Sequence, residues 1–360
     1  MKAIIPTGGR GTRMRPLTFS ANKHLIPVGN KPLIFYPIEA VLEAGVKEIA
    51  FTYNPGGLEL VQSVLGDGSK WGAKFTYVLQ ENPVGGLANI FQVCEDFIDG
   101  DSFILHLGDN IFNGGIENLV DHFNTHRPKG LVGIVHHPEN TRLGVPYFDE
   151  KGRLIKYVEK PANPPHDYAI PGVYFFDNMI FDCFKGKDKI VPSERGELEI
   201  AAAFQWLIDH GERVDTLEIK GEWLDPGKVD DWLEANMFLL DANTKTNIDS
   251  KLDDTVKIHG RVVVGKNCEI KNTVIKGPVN IGDNCIINDA NIGPFTSIYH
   301  NCTVIGSTIT DSVLMEGVII DKIKKNIDDS IIGPSTHLSQ NPRSENKVEV
   351  LVGELSKITF

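Results

Sequence analysis

The sequence predicts an α/β domain built on a mostly parallel sheet, followed by a second domain folded as a parallel β-helix. Two observations predict this architecture. Up to about residue 240, short aliphatic strands alternate with helical stretches, the pattern of a parallel sheet covered by helices. From Ile258 onward the chain instead repeats itself with a period of seventeen residues, which marks a solenoid. The composition agrees: 360 residues, 41% apolar and 23% charged, suffice for one large core plus a second domain.

In chain order, Ala3, Ile4 and Ile5 read as a buried strand, LIFYPIEAVLEAG as a helix, and EIAFTY and FTYVLQ as strands. LANIFQVCEDFI reads as one helix, SFILHLGDN as a strand running into a Gly108-Asp109-Asn110 turn, and Trp232 to Leu240 as a helix. The expected division is a first domain over 1–241, a polar linker over 242–256 (DANTKTNIDSKLDD has no apolar period), a β-helix over 257–338 and a tail over 339–360. Ligands of parallel sheets gather beyond the carboxyl ends of the strands. Two turns stand at such ends, the Asp109 turn and PTGGRGTRMRPLT (6 to 18), and they can face one cleft.

That second stretch sets glycines, which let a backbone approach a ligand, among arginines, which offer forked donors matched to phosphate oxygens. It fits neither familiar phosphate loop, since Met14 falls where a dinucleotide fingerprint needs its third glycine and no Gly-Lys-Ser/Thr triplet follows. A tight turn with solvated arginines is the other reading of these residues. The formal net charge of −12 argues against nucleic acid or an anionic membrane as partner, so phosphate affinity must come from a local cluster such as Arg10, Arg13, Arg15 and Lys23. The expected ligand is small.

The N-terminus shows no signal-peptide pattern and no stretch of eighteen apolar residues occurs, so a cytoplasmic protein is expected. Five cysteines with no C-x-x-C pair disfavour a zinc site or a disulfide framework. Three of them, Cys268, Cys285 and Cys302, keep the seventeen-residue period. Ile258, Ile275, Ile292 and Ile309 form one inward column, Val264, Ile281, Ile298 and Met315 a second, and Ile270, Ile287 and Val304 a third. Asn267, Asn284 and Asn301 fall where corners need left-handed backbone. Row four loses its Asn-Cys pair and gains Lys322, Lys324 and Lys325, which reads as a cap or an interrupted coil, and VEVLVGELSKITF at the end reads as a short strand. The rhythm resembles the left-handed β-helix of hexapeptide-repeat proteins, and the handedness is taken from that resemblance.

GGRGTRMRPLT with Lys23 and Pro27 behind it, then LGDGSKWG, LGDN, EKP, RGELEI and WLDPG in that order, resemble the ordered motifs of the sugar-1-phosphate nucleotidyltransferases. The whole chain is similar to the family's long thymidylyltransferase form, with a β-helix appended. The resemblance implies a Rossmann-like first domain that transfers a thymidylyl group from dTTP to glucose 1-phosphate, releasing pyrophosphate. It assigns Gly8, Gly9, Gly11 and Thr12 to the nucleotide phosphates, Arg13 and Lys23 to the leaving pyrophosphate, and Gln80 and Gly86 to the base. Asp109 and Asp225 carry over as carboxylates for Mg²⁺. Lys160 and Arg195 carry over as sugar-phosphate contacts, with Gly144, Glu159 and Ile170 around the hexose. Taken singly, Asp109 reads equally as a turn or cap residue, Asp225 as a turn Asp, Glu159 and Lys160 as a solvated pair, and Gln80 as a loop residue.

The sequence departs from the family pattern in QENPVGGLA, one residue longer than usual, which leaves open whether Gly85 or Gly86 meets the base. It departs also at Pro171, Pro226 and Ala201-Ala202. Three other functions stay in view: uridylyl transfer, because UTP differs from dTTP by one methyl and one hydroxyl; acyl transfer by the β-helix, with His300 as the candidate base; and a non-catalytic regulatory subunit. A homo-oligomer is expected, because the exposed ends and faces of a repeat domain favour symmetric association.

Overall fold

The computed structural model describes residues 1–9, 11–19, 22–81 and 85–340, and it packs as two compact units. Met1–Gly9 with Ile34–Leu224 form the first, and the described residues of 10–33 and 225–360 form the second. The glycine-arginine stretch is therefore split, with Gly8 and Gly9 in one unit and Gly11 to Lys23 in the other. Among the described residues, no helix is long and apolar enough to cross a membrane.

In the first unit, eight strands share one sheet: β1 (Lys2–Pro6), β2 (Glu48–Tyr53), β3 (Lys74–Leu79), β4 (Phe103–His106), β5 (Gly130–His136), β6 (Tyr168–Ala169), β7 (Val173–Phe176) and β8 (Val214–Glu218). β1 runs parallel to β2 and β4, and β2 parallel to β3, so the chain steps outward from β1 and then returns to its other side. That reversal is the topological switch point of a Rossmann-like sheet, where a crevice opens at the strands' carboxyl ends. β7 enters antiparallel between β4 and β5, which keeps the sheet only mostly parallel.

Helix Ile200–Asp209 shows why this face holds. Its Ile200, Ala203, Phe204 and Leu207 fall on one stripe and are buried, with the Phe204 ring packed 4.6 Å from that of Phe176 of β7. Phe91 packs 5.2 Å from the same Phe176. The stretch expected as one helix from Leu87 to Ile98 is two, Gly86–Gln92 and Glu95–Ile98. The helix tightens at the Cys94 N–H, which donates to Phe91 three residues back, and restarts after it.

In the second unit, helix Val229–Asn243 leads into a left-handed parallel β-helix. Asn247–Ile248, within the stretch expected as a linker, already pairs with Val263–Val264. Three sheets then stack coil on coil, Ile258 over Ile275, Val264 over Ile281 and Ile270 over Ile287. Asn267, Asn284 and Asn301 turn the corners at φ +58°, +58° and +62° and pass side-chain hydrogen bonds of 3.2 Å along the stack. The three periodic cysteines are buried and unpaired.

Row four corrects the expected register. Ile298 pairs with Leu314 instead of Met315, because the corner at Asp311 is one residue shorter than the corner at Phe295 it stacks on. The lysines at 322, 324 and 325 do not end the solenoid: Ile331–Ile332 and His337–Ser339 form a fifth coil. The strand expected in VEVLVGELSKITF lies outside the described residues, as does Arg10.

Candidate active site

In the first unit, four parallel strands end on one edge of the sheet. β1 delivers Gly8 and Gly9, β2 delivers Asn54, β3 delivers Gln80 and β4 delivers Asp109. Asn54 Nδ2 donates to the Gly8 carbonyl at 2.5 Å, and a Cβ on Gly8 would lie 2.7 Å from Asn54 Oδ1, so glycine is needed for that approach. Gln80 is buried, its backbone N–H donates to Tyr53 at 2.9 Å, and its Nε2 donates to Asn89 Oδ1 at 3.2 Å.

Asn110 fixes the turn that carries Asp109. Its Nδ2 donates to Asp109 Oδ1 at 3.0 Å, and its Oδ1 accepts from the Gly172 N–H at 3.0 Å and from Trp223 Nε1 at 2.7 Å. Gly172 is the residue after Pro171, one of the departures from the family pattern, and a Cβ there would meet Leu107 at 2.6 Å. Trp223 belongs to a short strand, Glu222–Leu224, paired with Ile111–Asn113 just beyond Asp109.

A second group of expected residues converges through a hairpin. Gly144–Phe148 pairs antiparallel with Leu154–Glu159, placing Glu159 opposite Gly144, while the Ile170 N–H donates to the Gly144 carbonyl at 2.8 Å. Gly144 must be glycine, since a Cβ there would lie 2.3 Å from the Tyr157 ring. Tyr157, fully enclosed, donates its hydroxyl to Glu159 Oε2 at 3.4 Å. Lys160 holds a left-handed backbone at φ +49° and brings its Nζ to 3.6 Å from Glu159 Oε1. Burial pushes the Glu159 carboxyl above the usual range; Lys160 opposes this and Glu199 adds to it.

Glu199 accepts from Ser193 Oγ at 3.0 Å across the loop that carries the exposed Arg195. That loop is knitted to the start of helix Gly86–Gln92. Leu198 N–H donates to the Gly85 carbonyl at 2.8 Å, and the Ala88 N–H donates to the Leu198 carbonyl at 2.9 Å. Gly86 is thus a glycine because Leu198 crowds it.

The second unit holds the remaining residues. Gly11, at φ +54°, leads a single turn over Thr12–Met14; Thr18 Oγ1 donates to its carbonyl at 2.7 Å, and a Cβ on it would strike Thr18 at 2.7 Å and Lys23 at 3.1 Å. Lys23 is buried, and Arg13 lies where a Cβ on Gly227 would be 3.2 Å from its guanidinium. Arg13 is thereby set beside the WLDPG turn that contains Asp225.

Among the described residues, no group of three or more His, Cys, Asp or Glu forms a metal cage. Asp109 lies in the first unit and Asp225 in the second, and each offers hard carboxylate oxygens of the kind Mg²⁺ takes alongside phosphate oxygens and water. His300 has structural work in the solenoid: its Nδ1 accepts from the Asp283 N–H at 2.8 Å.

Asn54, Asn89, Asn110, Tyr157 and Trp223 were not singled out for the site by the sequence. Asn54 had a signal, since it directly follows a parallel strand, and Asn110 had one as the last residue of the Gly108-Asp109-Asn110 turn after another. Tyr157 had none, being one aromatic among several in a hairpin.

The nucleotidyl transferase family model matches residues 2–242. The chain is 36% identical to a glucose-1-phosphate thymidylyltransferase of Streptomyces griseus and 37% identical to one of Streptomyces antibioticus, in each case over 99% of both chains. A crystal structure titled as a glucose-1-phosphate thymidylyltransferase of Bacillus anthracis, in complex with sucrose, is 34% identical, covers 68% of this chain and 96% of its own, and superposes with a TM-score of 0.62. With its Rossmann-like sheet, this chain belongs to the nucleotidyl transferase family, as an enzyme of the sugar-phosphate nucleotidyltransferases.

Proposed function

We propose that the protein transfers a thymidylyl group from dTTP to glucose 1-phosphate, with Mg²⁺ as its cofactor. One relation carries the reading: β1 and β4 are adjacent parallel strands, so Gly8–Gly9 and Asp109 leave the sheet side by side at the switch point. The full-length relatives named for that reaction support the choice of substrates.

In this reading a phosphate oxygen of the sugar attacks the α-phosphorus in line, the new P–O bond forms and the bond to the bridging oxygen breaks, sending its electron pair to pyrophosphate. The protein's task is positioning and neutralisation. Gly8, Gly9, Gly11 and Thr12 line the triphosphate, and Arg13 and Lys23 meet the leaving pyrophosphate with a fork and a point charge. Glu159, held by Tyr157, accepts from hexose hydroxyls beside Gly144 and Ile170, while Lys160 and Arg195 meet the sugar phosphate. Gln80, steadied by Asn89, offers its amide to the thymine edge, with Gly86 behind it. Mg²⁺, when bound, would be held by Asp109 and Asp225 and would neutralise phosphate charge.

Pyrophosphate release from dTTP and from UTP at equal concentration, with glucose 1-phosphate present, tests the assignment. The dTTP rate should be the greater, and a preference for UTP would overturn it. A methyl contact discriminates by only about 1–3 kcal/mol, so the expected ratio is about ten- to a hundredfold.

A further inference from the structure

The residues expected to meet pyrophosphate do not stand on the Rossmann-like unit. They lie on segment 11–33, which packs with the β-helix and helix Val229–Asn243. The segment is short of regular structure and is braced at both ends. Near its start, Leu17 lies where a Cβ on Gly333 of the fifth coil would be 3.3 Å away. Near its end, Lys23–Leu25 runs into a hairpin, Pro27–Val28 with Lys31–Pro32, whose tip is Gly29–Asn30.

That tip is held by one side chain. Asn236, 1% exposed, accepts from the Gly29 N–H at 3.0 Å and from Ser297 Oγ of the third coil at 2.7 Å through Oδ1. Its Nδ2 donates to the carbonyl of Phe295, the left-handed corner of the same coil, at 2.9 Å. Its oxygen and its nitrogen both bond across the junction of hairpin and solenoid. Asn30 Nδ2 adds a bond to Asn280 Oδ1 of the second coil at 2.9 Å, and Trp232 Nε1 donates to the Pro27 carbonyl at 2.9 Å. A buried amide satisfied this fully specifies one arrangement, since losing any partner strands another.

We propose that Asn236 is a positioning residue through which the β-helix sets the segment carrying Arg13 and Lys23, so that the solenoid governs how the nucleotide's phosphates are held. The assignment rests on the reading that Arg13 and Lys23 meet pyrophosphate. The hexose contacts belong to the other unit, so the two substrates should respond differently. A purely structural role would lower the fraction of folded enzyme and scale the rate without changing either KM.

The test is steady-state kinetics of the full chain with Asn236→Ala, and with Asn280→Ala as a milder solenoid-side variant should the first fail to fold. The expected result is a rise of about tenfold in KM for dTTP, and for pyrophosphate in the reverse direction, with KM for glucose 1-phosphate unchanged. Unchanged KM values per folded molecule, or an equal rise for both substrates, would overturn the proposal. If the wild-type chain fails to turn over dTTP and glucose 1-phosphate, the functional reading fails first. Calorimetric titration of inorganic pyrophosphate into both proteins then decides: weaker binding by the variant supports the positioning role, and equal binding refutes it.

Discussion

A Cβ placed on Gly86 would lie 2.5 Å from the carbonyl oxygen of Leu198, nearer than a side chain tolerates, and Gly86 itself sits at φ +77°. The contact ties helix Gly86–Gln92 to the loop bearing Arg195. Gly86→Ala should therefore destabilise the protein by about 3 kcal/mol through strain and backbone collision. It should also raise KM for both substrates. Thermal melts with paired KM measurements check this, and a variant of wild-type stability would show that the loop does not press on Gly86.

Gly227 makes the opposite kind of contact. A Cβ there would meet only the flexible end of Arg13, at 3.2 Å. Gly227 is buried, but its nearest neighbour is the end of a flexible side chain, so Gly227→Ala should cost no more than about 1 kcal/mol of stability. If Arg13 meets the leaving pyrophosphate as proposed, turnover should fall about tenfold, because its guanidinium is displaced. Equal losses of stability and rate would point to backbone strain instead.

Burial raises the Glu159 carboxyl, so protonation sets in at a higher pH than for a solvated carboxylate. For stability the sign follows: the raised group stabilises the fold at low pH, and that contribution is lost as pH rises through its folded value. Glu159→Gln should thus melt no lower than wild type at neutral pH, while KM for glucose 1-phosphate rises. In the wild type that KM should climb as pH falls into the acid range, and the Gln variant should lack this excess. Parallel profiles for the two proteins would exclude Glu159 from hexose binding.

Asp109→Asn keeps the shape of the turn that Asn110 fixes, so the melting temperature should change little. Turnover should fall by about a hundredfold or more if the carboxylate serves charge neutralisation at the phosphates. An unchanged rate would remove Asp109 from the chemistry.

The sequence made the repeat legible because stacking forces like residues into columns, and the sheet legible because its strands are short aliphatic runs between helices. Periodicity could not show the shortened corner at Asp311, since a single dropped residue leaves the aliphatic rhythm of Val313, Leu314 and Met315 looking intact. Nor could it show that Gly11 to Lys23 packs with the solenoid: Asn30, Asn236 and Asn280 are far apart in the chain, and a buried asparagine reads like a turn residue until its partners are seen. The Gly86–Leu198 contact was hidden for the same reason, since a glycine next to a motif is naturally read as serving the ligand.

Incubating the enzyme with α-phosphate-labelled dTTP, glucose 1-phosphate and Mg²⁺ and identifying the labelled product shows whether the nucleotidyl group reaches the sugar. The label should appear in dTDP-glucose, with one pyrophosphate released per sugar nucleotide formed and none without glucose 1-phosphate. Label recovered as dTMP, or pyrophosphate released at the same rate without the sugar, would contradict that transfer.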